Sequence, residues 1–258
     1  MGVGTNDPAA LLEVRDSENT TQGNAQIRIS KGVGNGAAPT SVSRANSYLH
    51  IGGSEYHTSY GRYNIAFGYT NDEVGSGIPA YIGFVETSLA GYTQGDLVFG
   101  TRGNVTATNN PTERMRISSG GIVTLPYQPA FHVSGGTALT ASTNNVIVSS
   151  NVDFNTGNHY STSNGRFTAP VAGKYFFSFW GLLYPAPNAV YNIFYSKNGN
   201  QYADLVQGGA DSSNHTSRSG TIIMSMSAGD YAELRINPSS SGANAYGSQW
   251  NMCGHLIG

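Results

Sequence analysis

The sequence predicts an all-β protein, and three observations support that class. Glycine accounts for 34 of the 258 residues, and there are 16 tyrosines. Short runs that alternate apolar and polar residues recur along the chain with turn residues between them, whereas helical periodicity is nearly absent. Charged residues make up only 11% of the chain, with a net charge of -2, so the composition indicates neither a nucleic-acid nor an anionic-membrane partner.

The elements of the first half are short. Residues 8–14 fit either a strand or one helical turn, and a proline-flanked segment, PYQP at 126–129, separates the two halves. We therefore expect three regions: an N-terminal connector over 1–30, a β-rich region over 31–125 and a head over 126–258. The strand-like segments of the first half are 25–30, 48–51, 64–69, 80–85, 96–101, 113–118 and 121–125.

The second half has a denser strand pattern. SKNGNQ at 196–201 is an Asn-Gly hairpin signal, and SAGDY at 227–231 is a second turn. Many strands without helices favour a β-sandwich or jelly roll. The candidate strands are 130–133, 146–149, 166–169, 174–183, 190–197, 201–206, 219–226, 231–237 and 251–257.

One strand, GKYFFSFWGLL at 173–183, is apolar on both faces. Tyr175, Phe177 and Phe179 lie on one face, and the other carries Phe176, Trp180 and Leu182 with Ser178 among them. A half-solvated antiparallel strand has polar residues on one face, so this strand needs cover on both. The residues alone leave two sources of cover open: the same chain, or other copies in an oligomer.

The spacing of seven residues resembles the signature of the globular head of complement C1q, which has the tumour-necrosis-factor-like jelly roll. SMSAGDYAELRI and CGHLI are similar to the family's last hairpin and closing strand, although Ser149 stands where the family's earliest phenylalanine is expected. The resemblance implies a homotrimeric jelly roll over about residues 129–258, with Tyr175, Phe177 and Phe179 as trimer-interface candidates. The matching residues are Asn155, Tyr160, Phe167, Gly173, Tyr175, Phe177 and Phe179.

The first half resembles segments of tailed-phage tail fibres, through GVGT followed by PAALLEV, and through SYLHIGG, IAFGYTND, GDLVFGTR and PTERMRI. This resemblance implies a trimeric phage tail-fibre protein, located in the virion after synthesis in the host cytoplasm. Its partners would be other tail or baseplate proteins and a bacterial surface glycan or protein receptor.

No pattern of catalytic or metal-binding residues is found. The six histidines are dispersed, and Cys253 is the only cysteine, which excludes an intrachain disulfide and fits a reducing cytosol. There is no nucleophile elbow or phosphate loop, no bilayer-length apolar run and no signal-peptide pattern at the N-terminus. We expect no enzyme activity and no cofactor, while calcium on Asp204, Asp211 and Asp230 stays open as an alternative.

The predicted function is therefore adhesion by a trimer, with the receptor site on aromatic loops of the head. A tail-fibre enzyme that degrades polysaccharide is one alternative, but the acidic residues are too dispersed to form a recognisable catalytic pair. A cellular C1q-like lectin is the other. The receptor-binding candidates are Tyr184, Tyr191, Tyr202, Tyr246 and Trp250.

Overall fold

The structure is a computed structural model of the whole chain. It describes residues 2–3, 13–14, 49, 51, 60–68, 77–90, 93–106, 108–136, 139–140, 145–184, 189–209, 211–238, 244–245 and 247–258. Strands dominate these residues, and a single 3-10 turn over Gly247–Gln249 is the helical element among them. The predicted all-β class is confirmed.

The strands of the described residues follow in chain order. Those of the first half are β1 (Gly2–Val3), β2 (Glu13–Val14), β3 (Arg62–Phe67), β4 (Ala80–Ser88), β5 (Gln94–Thr101), β6 (Thr112–Ile117) and β7 (Val123–Thr124). Those of the second half are β8 (Ala130–Ser134), β9 (Leu139–Thr140), β10 (Asn145–Val146), β11 (Asn151–Thr156), β12 (Tyr160–Ser161), β13 (Arg166–Thr168), β14 (Gly173–Leu183), β15 (Val190–Lys197), β16 (Asn200–Gly209), β17 (Thr216–Met226), β18 (Tyr231–Pro238), β19 (Asn244–Ala245) and β20 (Asn251–Leu256).

The chain divides into two compact units, Met1–Ile65 with Gly83–Asp96, and Ala66–Ile82 with Leu97–Gly258. The predicted regions 1–30, 31–125 and 126–258 have different limits and stay predictions. In the first unit the Glu86 carboxylate is almost buried, at 7% exposure, and accepts a hydrogen bond of 2.8 Å from the backbone N–H of Gly61. This bond satisfies a charge that burial would otherwise penalise.

Residues before the head form a five-stranded sheet in the order β3-β4-β5-β6-β7. The β5–β6 pair is antiparallel, with Leu97 opposite Ile117 and Phe99 opposite Met115, and β6 pairs with β7 through Ile117 and Val123. PTERMRI, one of the motifs read from the sequence, supplies β6. The predicted strand at 25–30 and most of the connector 1–30 lie outside the described residues.

The head is a sandwich of two sheets. One sheet has the order β11-β8-β20-β14-β19-β9, with β17 paired to the free side of β14, and the other has the order β12-β13-β18-β15-β16, with β10 paired to β18. We call them the first and second head sheets. The core between them is made of buried side chains from both, and Trp250 and Leu183 are among its largest fully enclosed members.

The residues of the C1q-like signature build this core. Asn155 donates from Nδ2 to the carbonyl of Tyr160 at 2.8 Å and accepts at Oδ1 from its N–H at 3.1 Å, which holds the β11–β12 connection. The Tyr160 ring stacks on Phe131 at 5.0 Å, and Phe167 stacks on the same ring at 5.2 Å. Burial of its hydroxyl raises the pKa of Tyr160 to about 12, although the hydrogen bond with the backbone of Ser149 acts in the opposite direction.

Ser149 therefore has a structural role at the position where the sequence departs from the family pattern. Its backbone N–H donates to the Tyr160 hydroxyl at 3.1 Å, and its carbonyl accepts from that hydroxyl at 3.3 Å. The predicted strand at 146–149 ends earlier than expected, because β10 covers only Asn145–Val146. The strand β11 was not among the predicted strands; its two apolar residues, Val152 and Phe154, alternate with polar ones but are each 46% exposed.

The strand β14 resolves the question of its two apolar faces. Tyr175, Phe177 and Phe179 are 0%, 0% and 2% exposed and lie inside the chain's own core. Their proposal as trimer-interface residues is corrected, because side chains enclosed between the two head sheets have no surface left for a neighbouring copy. The opposite face of β14, with Phe176, Trp180 and Leu182, is the one that stays partly open.

Candidate functional site

The face of the first head sheet that turns away from the core is the first candidate surface, and we call it the outer face. Its rows follow from the strand register: Phe176 lies between His255 and Ile223, and Trp180 lies between Asn251 and Ser219. Trp180 is 40% exposed and Ile223 is 57% exposed. An exposed tryptophan on the same sheet face as an exposed isoleucine is typical of a contact surface.

The polar groups of the outer face are mostly uncharged at its centre. Cys253 lies opposite His132 on β8 and opposite Ser178 on β14, and burial raises the pKa of its thiol. The Nδ1 of His132 lies 3.3 Å from Oδ2 of Asp153, which is on the adjacent β11. The rows that contain Phe176, Ser178 and Trp180 carry no Lys, Arg, Asp or Glu. Low charge of this kind is found at the centre of protein interfaces.

The second candidate surface is the end of the sandwich where β14 leads out and β17 begins, and we call it the loop end. The rings of Tyr184 and His215 lie there with centroids 5.2 Å apart. Asp211 Oδ1 accepts hydrogen bonds from the N–H groups of Ser213 at 2.7 Å and Asn214 at 2.9 Å. These bonds lower the pKa of Asp211, so its exposed carboxylate stays ionised.

The structure separates the five receptor-binding candidates. Tyr191 and Trp250 are 0% and 1% exposed and belong to the core, so they cannot contact a receptor without unfolding. Tyr184 is half-buried at the loop end, and Tyr202 is 44% exposed on β16. Tyr246 lies outside the described residues. The aromatic cluster in the sequence therefore combined core-filling and surface residues, because sequence proximity does not report which side of a strand a ring occupies.

A charged network on the second head sheet was not predicted. The Glu233 side chain is 1% exposed and accepts hydrogen bonds from Arg166 Nε at 2.7 Å, Arg235 Nη2 at 2.7 Å and Ser196 Oγ at 3.0 Å. Burial by itself raises the pKa of Glu233, but the hydrogen bonds from Arg166, Arg235 and Ser196 outweigh it and lower the pKa. The i, i+2 spacing of Glu233 and Arg235 on one strand face was the available signal.

The described residues contain no group of three or more His, Cys, Asp or Glu side chains that could hold a metal ion. Asp211 and Asp230 instead accept hydrogen bonds from nearby backbone N–H groups, and Asp204 accepts one from Gln201 Nε2 at 2.6 Å. Calcium binding stays a prediction that nothing tests. Among the same residues, no helix is long and apolar enough to cross a membrane.

Comparison with known proteins gives a match over the head. Residues 130–257 match the model of the C1q domain family. Complement C1q tumor necrosis factor-related protein 3 of Homo sapiens and that of Mus musculus are each 34% identical to the chain over 114 residues, which is 42% of this chain and 43% of the relative. The chain thus spans less than half the length of the curated relatives it matches.

The solved structures similar to the chain include the globular domain of zebrafish complement 1qA protein. That similarity has 17% sequence identity and a TM-score of 0.40, and it covers 51% of this chain and 98% of the zebrafish chain. The structure of Eiger TNF from S. frugiperda is similar at 9% identity and a TM-score of 0.38, over 51% of this chain and 93% of that one.

The family match over residues 130–257 and the curated relatives test several of the sequence predictions. The C1q/TNF-like jelly roll of the head is confirmed, and the expectation of no enzyme activity agrees with the C1q/TNF-family homologues, which are non-enzymatic signalling or structural proteins. Domains of the family form homotrimers. The predicted phage tail-fibre function and virion location are wrong, because the curated relatives are C1q tumor necrosis factor-related proteins of mammals. The predicted baseplate and bacterial-receptor partners are therefore not supported either.

Proposed function

We propose that this chain, whose residues 130–257 form a C1q-like domain, acts as a homotrimeric and non-enzymatic binding protein. Three heads associate through their outer faces, and the loop ends of the trimer bind a glycan-bearing partner. The observation that carries this proposal is the uncovered side of β14, where Trp180 is 40% exposed between two polar neighbours. The proposed function corresponds to the cellular C1q-like lectin that the sequence analysis gave as an alternative.

The chemistry of the outer face supports self-association. Its central rows hold aromatic, aliphatic and small polar side chains without Lys, Arg, Asp or Glu, so copies can approach without like-charge repulsion. Burying one large apolar side chain such as Phe176 or Trp180 contributes on the order of 2 kcal/mol, and a threefold assembly repeats that contribution in each subunit. A protein of low net charge has little long-range repulsion to overcome.

The chemistry of the loop end supports glycan recognition. The Tyr184–His215 ring pair offers an apolar surface for a sugar ring, and the Asp211 carboxylate, held ionised by backbone N–H groups, can accept bonds from sugar hydroxyls. One such site binds weakly. Three sites in one trimer raise the apparent affinity for a multivalent surface by avidity, without any added contact.

Trp180→Asp tests the assembly step. We expect wild-type protein to sediment as three 27.2 kDa chains and the variant to sediment as one chain, because the carboxylate would be buried without a partner in the interface. Tyr202→Asp, on an exposed position of β16, is the matched control and should keep the wild-type mass. A single-chain mass for the wild-type protein would refute the proposed assembly.

Binding of the trimer to an immobilised glycan panel tests the recognition step. Tyr184→Ala and Asp211→Asn should weaken binding to the glycans that the wild type retains, while their sedimentation and melting temperature stay unchanged. Trp180→Asp should weaken it further through lost avidity. A wild-type trimer that binds none of the panel, or a Tyr184→Ala variant that binds as well as wild type, would contradict a glycan site at the loop end.

A further inference from the structure

The sheet that precedes the head has an apolar face of its own, which we call the 97–123 face. The register places Leu97, Ile117 and Val123 side by side across β5, β6 and β7, with Phe99 and Met115 as the next pair along. Leu97 is 40% exposed and Val123 is 53% exposed, and the other three are half-buried. Apolar side chains in adjacent rows of a sheet form a contiguous patch rather than scattered surface residues.

The opposite face of the same strands is covered differently. Val98 is 0% exposed and lies opposite Arg116, whose Nη2 is 2.6 Å from Oε2 of Glu113. Asp96 is also on this face, at 7% exposure. Asp96, the one charged residue of β5, and the Arg116–Glu113 pair thus lie on the face where Val98 is covered. The centre of the 97–123 face is apolar, and at its edge Arg114 donates a hydrogen bond from Nε to Thr101 Oγ1 at 3.4 Å. A sheet with one apolar face requires a second layer.

We propose that the second layer is the same face of the other copies of this chain, so that residues 97–125 form a second trimer contact beneath the heads. This inference rests on the proposed trimer. β7 ends at Thr124 and β8 begins at Ala130, so at most about 20 Å of chain separates the two sheets. Association of the heads would hold three 97–123 faces at high effective concentration, where a modest apolar contact is sufficient.

The charge distribution favours copies of this chain over a charged partner. The five side chains of the 97–123 face are Leu, Phe, Met, Ile and Val, so contact between their identical sets brings no like charges together at the centre. Arg114 at the edge is engaged within its own chain, by Thr101 and by the Tyr127 ring, whose centroid lies 4.4 Å from its Cζ. An acidic or basic partner would find no complementary charge among these five side chains. β7 is short and ends the order β3-β4-β5-β6-β7, and five residues separate it in sequence from β8, the first strand of the head.

Crosslinking of the full-length protein tests the inference. Cys253→Ala removes the native thiol, and in that background Val123→Cys or Leu97→Cys places one thiol on the 97–123 face. Thr124→Cys is the matched control, because this exposed neighbour points to the opposite face and pairs with Arg116. After treatment with a short bismaleimide, denaturing gels of the two test variants should show crosslinked pairs, up to about two of every three chains, whereas the control stays single.

The outcomes separate this inference from the proposed function. A sedimentation mass of three chains together with crosslinked pairs at Val123→Cys or Leu97→Cys supports both. If the protein sediments as three chains but neither test variant forms crosslinked pairs, the second contact is overturned and the trimeric head stays in place. This holds whether the introduced thiols react with the maleimide or are inaccessible to it. A mass of one chain overturns the trimer itself.

Discussion

The head and the sheet before it show two ways in which an apolar strand face is covered. In the head, the face of β14 with Tyr175, Phe177 and Phe179 is enclosed by the second head sheet. In residues 97–125 the equivalent apolar face has Leu97 40% and Val123 53% exposed. The difference shows that alternation of apolar residues identifies a face that needs cover, but does not identify which part of which chain supplies it.

The two regions also share one packing device. In the head, the Trp250 ring lies over Gly181, where an added Cβ would overlap the ring. In the sheet before it, the Tyr81 ring lies over Gly100 in the same way. A glycine beneath an aromatic ring lets the ring cover the backbone of the neighbouring strand. Trp250 is 1% exposed and Tyr81 is 8% exposed, so both rings are almost fully enclosed by their surroundings.

The largest expected effect comes from Phe177→Ala in the head core. Removing this fully buried ring should lower the free energy of unfolding by about 3–5 kcal/mol, since a cavity remains between the two head sheets. Phe99→Ala, on the half-buried 97–123 face, should lower the free energy of unfolding of the isolated chain by much less. Denaturant unfolding of both variants measures the comparison, and equal costs would show that the two faces are enclosed to the same degree.

A smaller effect is expected from Glu233→Gln, which leaves Arg166 and Arg235 without their shared carboxylate. We expect a loss of about 2–3 kcal/mol near pH 7. Because the folded-state pKa of Glu233 is below its ordinary value of 4.5, the wild type should lose this advantage as the pH falls below 4.5. Chemical unfolding at several pH values measures the difference between the two proteins.

The control for that prediction is Glu113→Gln in the sheet before the head. The Arg116 and Glu113 side chains are 27% and 25% exposed, so their pair should contribute less than about 1 kcal/mol. If Glu233→Gln costs no more than Glu113→Gln at pH 7, then burial does not strengthen the network of Glu233.

The smallest of the three effects is expected from Gly181→Ala. The new methyl group would collide with the enclosed Trp250 ring, and we expect a loss of about 1–3 kcal/mol, visible as a lower melting temperature. Gly208→Ala is the matched change, since no atom lies within 4 Å of its Cβ position, and it should be nearly neutral. A neutral Gly181→Ala variant would mean that Trp250 can move aside, which its 1% exposure argues against.

The C1q-like jelly roll could be predicted because its signals are local and evenly spaced. Asn155, Tyr160, Phe167 and Gly173 lie at fixed distances in sequence because each occupies a fixed place in the sandwich, and three of them contact one another or Phe131. The strand β11 carried this signal only through Asn155, and its other side chains are mostly exposed, so the strand itself was not predicted. The resemblance of the first half to tail fibres depended on short motifs, and the tail-fibre function inferred from it is contradicted by the mammalian relatives of the chain.

The sequence by itself determined that β14 is apolar on both faces, that the strands alternate and that no metal-ligand spacing exists, because these are properties of neighbouring residues. Only the tertiary structure decided which face is inside. Tyr175, Phe177 and Phe179 are enclosed, whereas Phe176 and Trp180 lie on the outer face. Tyr191 and Trp250, which were predicted at the surface, are buried in the core. The physical reason is that burial depends on which sheet packs opposite, and that pairing joins residues far apart in the chain.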